Sequence, residues 1–148
     1  MHNVMNTYRR LPVEFTHGEG IWLYDSQGRR YLDALSGIAV CGLGHAHPAV
    51  TQAIRLQAEK LLHVSNLFQI PNQERLAELL CKVSGLDTVF FCNSGAEANE
   101  AAIKLARLHG HRRGIDNPAI VVMEGAFHGR TLATLSASGN RAIQAGFE

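Results

Sequence analysis

The stretch that decides the fold is residues 88–107, TVFFCNSGAEANEAAIKLAR. Its first five residues are apolar and largely β-branched or aromatic, which is typical of a strand buried on both faces. From Gly95 to His109 the composition is rich in Ala, Glu, Leu and Lys, which favour a helix. A second run of the buried-strand type, AIVVM, follows at 119–123. Strand, helix and strand in this order predict a right-handed βαβ unit of a mainly parallel sheet, and therefore an α/β fold.

The residues before this unit predict a hairpin and a helix. Short apolar runs at 21–24 and 31–35 flank Asp25-Ser26-Gln27-Gly28, a sequence with turn chemistry, and together they predict a β-hairpin. Pro48 suits the first turn of a helix, where its missing N–H costs nothing. Apolar residues at roughly helical spacing extend this predicted helix over 48–62.

A second helix is predicted between the N-terminal elements and the βαβ unit. It begins at Pro71 or Asn72, runs to Val83 and ends at Gly85.

The composition excludes several classes of protein. Of the 148 residues, 46% are hydrophobic and 18% are charged, so a buried core is expected rather than disorder. The net charge of +1 gives no reason to expect nucleic acid or an acidic membrane as a partner. No apolar run reaches about 18 residues, so no membrane span is predicted. Three widely spaced cysteines fit reduced thiols and a cytoplasmic location.

The start of the helix after the first predicted strand is a candidate anion site. A helix N-terminus presents free N–H groups and the positive end of a dipole, which together bind phosphate. Ser94 can cap the helix and donate its hydroxyl, while Gly95 and Ala96 leave room for an anion to approach the backbone. The alternative is an ordinary capped helix with no ligand. Neither a P-loop nor a dinucleotide-binding glycine motif is present, which favours a single phosphate group.

Five motifs occur in order along nearly the whole chain: the hairpin 20–33, SGIAV at 36–40, LGHAHP at 43–48, NSGAEANEAAIKLAR at 93–107 and GAFHGRT at 125–131. Together they resemble the class III (ornithine-type) aminotransferases, which depend on pyridoxal phosphate (PLP). The resemblance implies the PLP-dependent aminotransferase fold of type I, of which this chain would form the N-terminal part, with an incomplete, mainly parallel sheet. It also implies two parts: residues 1–60, a hairpin and helix that belong to the small domain, and residues 61–148, the first part of the large PLP-binding domain.

The resemblance implies a role for each matching residue. Ser94, Gly95 and Ala96 would hold the PLP phosphate. Phe127 would stack on the pyridine ring, which a flat aromatic suits, and His128 would line the same pocket or make a structural hydrogen bond. Arg130 would bind a substrate carboxylate, for which the guanidinium group is suited by its paired donors.

Two further pairs of residues in the N-terminal part of the chain are considered as functional candidates. Gly37 and Ile38 would approach the substrate side of the site, across a dimer interface. His45 and His47 have the spacing of a metal-binding pair, but no carboxylate or cysteine stands nearby in the sequence to complete a set. No metal site is therefore predicted, and the two histidines are expected to cap or pack at a helix start.

None of the three lysines is a credible Schiff-base residue. Lys60 and Lys82 lie on predicted helices with ordinary solvated roles, and Lys104 lies nine residues beyond Gly95, about 13 Å along the helix axis. The catalytic lysine, like the aspartate that holds the pyridine nitrogen protonated, is expected beyond residue 148. We therefore expect no catalytic residue in this chain and no activity from it alone.

The resemblance also implies a reaction for the longer parent protein. SGIAV and AFHGRT lean toward the branch that transfers an amino group between N-acetylornithine and 2-oxoglutarate in arginine biosynthesis, in a homodimer. The partners are then a small-molecule amino donor and a 2-oxo acid. The alternatives are a sister activity on ornithine, succinylornithine or 4-aminobutyrate, a non-catalytic binding module made from this fold, and a binder of sugar phosphates or nucleotides.

Overall fold

The computed structural model describes residues 3–147, and the chain divides into two compact units between Gln69 and Ile70. The boundary expected between residues 60 and 61 concerns the complete domains and stays a prediction. The first unit contains β1 (Phe15–Glu19), β2 (Trp22–Asp25), β3 (Arg30–Leu32), the single turn α1 (Ser36–Ala39) and α2 (Pro48–Ala58). The second contains α3 (Pro71–Ser84), α4 (Gly95–Arg112), α5 (Leu132–Ala137) and α6 (Arg141–Gln144).

The first unit is built on an antiparallel sheet of three strands in the order β1-β2-β3. Strands β2 and β3 form the predicted hairpin, with Leu23 opposite Tyr31 in its register. Strand β1 was not predicted. It pairs with β2 in antiparallel register, with an irregularity between Phe15 and His17. Its sequence, FTHGE, carries polar residues and a glycine, and it therefore lacks the apolar alternation that identifies a strand.

A buried carboxylate fixes the turn of the hairpin. Asp25 is 3% exposed, and its Oδ1 atom accepts hydrogen bonds from the backbone N–H groups of Gln27 and Arg29 at 2.9 and 2.8 Å. Its Oδ2 atom accepts from Arg29 Nε at 2.6 Å and from the Tyr31 hydroxyl at 3.0 Å. Burial favours the neutral carboxyl, but these hydrogen bonds outweigh it and lower the pKa of Asp25 from 3.8 to about 2.

A second carboxylate ties the end of the sheet to the segment before α2. Asp33 Oδ2 lies 2.7 Å from His45 Nε2, and Asp33 Oδ1 accepts from the N–H groups of Leu35 and Ser36. The hydrogen bond with His45, followed by that from the Ser36 N–H, lowers the pKa of Asp33. His45 also exchanges backbone hydrogen bonds with Gly20 at 3.0 and 2.7 Å. The Asp33-His45 pair therefore connects the end of β3 to the segment that precedes α2.

The two predicted helices before the βαβ region are present. Helix α2 begins at Pro48 as expected but ends at Ala58 rather than residue 62, because Glu59 caps it and the following backbone turns away. Helix α3 ends at Ser84 and is capped by Gly85, as the sequence predicts, since the φ of 71° at Gly85 is the left-handed conformation that glycine adopts without steric cost.

The βαβ prediction is correct for its helix and wrong for its strands in this structure. Helix α4 runs from Gly95 to Arg112, three residues further than predicted. Residues 88–92 and 119–123 belong to no sheet within residues 3–147. A strand exists only through hydrogen bonds to a neighbouring strand, and neither segment has such a neighbour here. The only sheet in the described residues is therefore antiparallel.

The apolar side chains of these unpaired segments lie open to solvent. Val121 is 94% exposed, and Leu135 is the only buried large apolar side chain among the described residues. The accessible surface is 13214 Å², whereas two separately folded units of half this mass would expose about 9000 Å². The residues are thus arranged as parts of a larger hydrophobic core, most of which the described chain does not itself supply. Among residues 3–147, no helix combines the length and hydrophobicity that crossing a bilayer requires.

Candidate functional site

The N-terminus of helix α4 is capped by side chains and keeps two donors free. Ser94 Oγ accepts a hydrogen bond from the Glu97 N–H at 3.2 Å, so Ser94 is the N-cap. The Glu97 carboxylate turns back and accepts from the Asn93 N–H at 2.5 Å. The N–H groups of Gly95 and Ala96 have no partner in the described part of the chain. A Cβ atom built on Gly95 would meet nothing within 4 Å, so an anion can approach these two donors.

The second predicted cofactor loop, residues 125–131, lies directly against this helix terminus. Gly129 makes the contact, because a Cβ atom at this position would lie 2.9 Å from Ala96 Cβ and 2.6 Å from Thr134 Oγ1. Only a residue without a side chain can pack this closely. The structure therefore brings the two motifs that the sequence places about thirty residues apart to one end of α4.

The aromatic and cationic residues of the loop are neighbours. The Arg130 guanidinium carbon lies 5.7 Å from the centre of the Phe127 ring, a distance at which a cation and a ring attract each other. The Phe127 side chain is 63% exposed. A flat, accessible ring and a guanidinium group thus stand on the loop that packs against the free N–H groups of α4.

His128 points elsewhere than Phe127. Its ring lines a cavity of about 260 Å³ between α4 and residues 120–122, together with apolar side chains such as Ile103 and Ile120. The Nε2 atom is buried and has no hydrogen-bond partner among the described residues. Its contact with a cofactor stays a prediction. The structure shows a hydrogen bond of the His128 backbone, whose N–H donates to Ser138 Oγ at 3.0 Å.

Sequence reasoning missed the residues that join the loop to the helices. Asn99 Nδ2 donates to the His128 carbonyl oxygen at 2.8 Å, and the Thr131 hydroxyl donates to the Glu100 carboxylate. Ser138 is 2% exposed and is held in turn by the Thr134 carbonyl oxygen at 2.9 Å. The polar Asn99-Glu100 pair in an alanine-rich helix was the available signal, because polar residues on a face that packs need partners.

The other predicted candidates lie outside this arrangement. Gly37 and Ile38 belong to the first unit, in the turn α1, where both have φ near +60°; their approach to a substrate stays a prediction. His45 has a neighbouring carboxylate, Asp33, contrary to the expectation drawn from the sequence. His47 is the N-cap residue of α2 but makes no side-chain cap bond. Within residues 3–147, no group of three or more potential ligands is placed to hold a metal ion.

The second unit contains two lysines, of which Lys104 lies on α4 nine residues beyond Gly95. Lys104 lines an apolar groove of about 620 Å³ with Phe90, Leu105 and Leu108, and Lys82 lies in the last turn of α3. The arrangement can therefore bind a phosphate group, face a flat ring and attract a carboxylate. The expectation that this chain holds no Schiff-base lysine stays a prediction.

The sequence matches the family Aminotransferase class-III over residues 4–148, and the chain belongs to that family. Among the most similar curated relatives is the acetylornithine aminotransferase of Nitrosomonas europaea, which is 66% identical over all 148 residues. The acetylornithine aminotransferase of Prochlorococcus marinus (strain MIT 9313) is 56% identical over 98% of this chain. The chain spans only 38% and 35% of the length of these two relatives.

Solved structures agree with the fold expected from the resemblance. The ornithine aminotransferase of Toxoplasma gondii, described as having partial occupancy of PLP at its active site, matches 99% of this chain with a TM-score of 0.90 and 29% identity. The N-acetylornithine aminotransferase of Stenotrophomonas maltophilia matches 87% with a TM-score of 0.75 and 41% identity. This chain covers 35% and 38% of those chains. The fold is therefore part of the type I aminotransferase fold.

Proposed function

We propose that this chain forms the phosphate-binding and ring-facing part of a PLP site in an aminotransferase. The observation that carries the proposal is the contact of Gly129 with Ala96, because it sets the Phe127-Arg130 loop against two free N–H groups. PLP carries one phosphate group and one flat aromatic ring, and these are the parts that this arrangement would bind. When bound, PLP supplies an electron sink for moving an amino group between carbon skeletons.

The residues of this chain would bind and orient rather than react. Gly95 and Ala96 would donate their N–H groups to the phosphate at the positive end of α4, while Ser94 would donate its hydroxyl. The exposed face of Phe127 would stack on the cofactor ring. Arg130, beside that ring, would attract the carboxylate of the amino donor or of the 2-oxo acid.

The reaction we infer for the complete gene product is transamination of N-acetylornithine with 2-oxoglutarate, as a step of arginine biosynthesis in the cytoplasm. The names and identities of the relatives support this substrate. The complete gene product would supply the lysine that bonds the cofactor and the acid at the pyridine nitrogen from residues other than 1–148, and it would act as a homodimer. We expect residues 1–148 alone to be inactive.

Two alternatives to this substrate and role are retained. The structural likeness to ornithine aminotransferase favours a sister activity on ornithine or another ω-amino acid as the second candidate. A non-catalytic module would show the same N–H donors without turnover. Comparing rates of the complete gene product on N-acetylornithine, ornithine, succinylornithine and 4-aminobutyrate separates these possibilities. Absence of transamination on all four would contradict the enzymatic proposal.

The phosphate cradle is tested by Gly95→Ala in the complete gene product. Alanine fits the open space at this position without a positive φ, so the protein without cofactor should become more stable by about 0.4–1 kcal/mol. The same methyl group would block the anion and weaken a charged hydrogen bond, lowering PLP affinity by about tenfold or more. Thermal unfolding and PLP titration measure the two effects.

The control for this test lies on the same helix. Ala101→Gly, six residues further along α4, should reduce stability by about 0.5–1 kcal/mol and leave PLP affinity unchanged. If Gly95→Ala bound PLP as tightly as the unmodified protein, the N–H groups at the start of α4 would not be the phosphate site.

A further inference from the structure

We propose that Asn99 is a positioning residue that sets the orientation of Phe127 and Arg130 relative to the start of α4. The inference rests on the proposed PLP site and concerns a residue that makes no contact with the predicted phosphate position. It is carried by the hydrogen bond from Asn99 Nδ2 to the His128 carbonyl oxygen, 2.8 Å long and spanning 29 residues of sequence.

The backbone of His128 is held from two sides. Its carbonyl oxygen accepts from Asn99 on α4, and its N–H donates to Ser138 Oγ, which follows α5. The hydroxyl of Ser138 is itself fixed by the Thr134 carbonyl oxygen at 2.9 Å and is buried. The two peptide groups that flank His128 therefore have their planes fixed by side chains of separate elements.

This restraint acts on the residues that the proposed function uses. His128 directly follows Phe127, and Arg130 lies two residues further along. A peptide group is planar, so fixing the groups on either side of His128 limits the directions in which the Phe127 side chain can leave the backbone. On the far side of Arg130, the Thr131 hydroxyl donates to the Glu100 carboxylate, also on α4. The loop is thus attached to one helix before and after Arg130.

The Gly95 and Ala96 donors do not depend on this restraint. They belong to the first turn of α4, whose cap is formed by Ser94 and Glu97. Loss of the Asn99 hydrogen bond should therefore loosen the ring-facing loop and leave the phosphate donors in place. If Asn99 acted only by stabilising α4, its loss would weaken phosphate binding and the positioning of the Phe127 loop together.

The test compares Asn99→Ala with the unmodified complete gene product in two measurements. A single neutral hydrogen bond of about 0.5–1.5 kcal/mol corresponds to about a 2- to 12-fold change. We expect PLP affinity to fall by that factor while competition by inorganic phosphate alone is unchanged. Amide hydrogen exchange without cofactor should accelerate by a similar factor at residues 127–131 but not in residues 100–110 of α4.

The matched control is Asn117→Ala, since Asn117 is exposed and lies outside the loop and the start of α4. It should change neither measurement. The double variant Asn99→Ala/Ser138→Ala should lose less free energy of PLP binding than the two single variants lose in sum. The reason is that both side chains restrain the peptide groups of the same residue, His128.

The outcomes separate this inference from the proposed function. If the unmodified protein failed to bind PLP, the proposed function would fall, while faster exchange at 127–131 in Asn99→Ala would still support the restraint. Unchanged exchange in that variant would overturn the inference whether or not PLP binds. Equal losses of phosphate and PLP affinity would also overturn it, by showing a general effect on α4.

Discussion

Replacing Gly129 with alanine should separate the loop that carries Phe127 from the start of α4. In the structure an added Cβ atom would lie 2.6 Å from Thr134 Oγ1, 2.9 Å from Ala96 Cβ and 3.1 Å from Ala96 Cα. Thr134 is fully buried, and Ala96 belongs to a helix, so neither can move aside at low cost. The backbone at Gly129 has a φ of 132°, a conformation that alanine rarely adopts.

Two unfavourable contributions to the free energy of folding add in the Gly129→Ala variant. Overpacking of a tight contact costs about 1–3 kcal/mol, and a disfavoured backbone conformation costs about 1–3 kcal/mol. The sum of about 2–6 kcal/mol is a large part of the total stability of a typical protein. The protein can avoid this cost by moving the loop away from Ala96, in which case the phosphate donors and the aromatic ring no longer face one ligand.

The assay is PLP titration together with thermal unfolding of the complete gene product. The control is Gly114→Ala, because Gly114 has a φ of 77° but open space around its Cβ position, so only the backbone term of about 1–2 kcal/mol applies. Gly129→Ala should lose substantially more stability than the control and at least tenfold in PLP affinity. Equal stability of the two variants, with normal PLP binding, would refute the packing reasoning.

Two further predictions concern carboxylates. The depressed pKa of Asp25 means that its stabilising contribution is present above the ordinary value near 3.8 and is lost as the pH falls through about 2. Thermal unfolding of the unmodified protein between pH 4 and pH 2 should show this loss, and Asp25→Asn should show a weaker pH dependence there. Glu97→Gln removes a negative charge beside the predicted phosphate, so phosphate affinity should rise by about two- to fivefold. The weaker bond to the Asn93 N–H should lower helix stability by about 0.3–1 kcal/mol, and no gain in phosphate affinity would place the anion elsewhere.

Local signals in the sequence predicted helices α2, α3 and α4 and the hairpin, but not the short helices α1, α5 and α6. Pro48 and Gly85 mark ends that the structure confirms, because proline and glycine restrict or permit particular backbone angles within a few residues. The turn from Asp25 to Gly28 was predicted equally well, because the hydrogen bonds of the Asp25 side chain reach residues no more than six positions away. Strand β1 was missed because its pairing with β2 depends on neighbours rather than on its own residues.

The sequence predicted the separate motifs of the candidate site but not the contacts that bring them together. Ser94 as N-cap follows from its position before an alanine-rich helix, and the structure confirms it. The contact between Gly129 and Ala96 could not be predicted from spacing, because it depends on how the chain returns after residue 123. Asn99 and Ser138 were overlooked for the same reason. Their partners are backbone groups, which every residue possesses and no sequence pattern marks.

The strand predictions for 88–92 and 119–123 failed for a different reason. Their composition is typical of segments with a dry environment, whereas Phe90 and Val121 are 68% and 94% exposed in the structure. Composition reports the environment that a segment needs, whereas hydrogen-bonded pairing depends on which other segments are present. The likeness to chains about three times as long shows that the path of the backbone is preserved without that pairing.

The separation in sequence between hydrogen-bonded partners has a consequence for the order of folding. All the hydrogen-bond partners of the Asp25 side chain lie within six residues of it, so the hairpin can close on the microsecond timescale while the rest of the chain is still being synthesised. Asn99 and Glu100 must instead await residues 29 and 31 positions further along the chain. At about 5–20 residues per second, translation delays the second event by seconds. During that interval α4 can exist with its N–H groups available before the loop that completes the site has emerged from the ribosome.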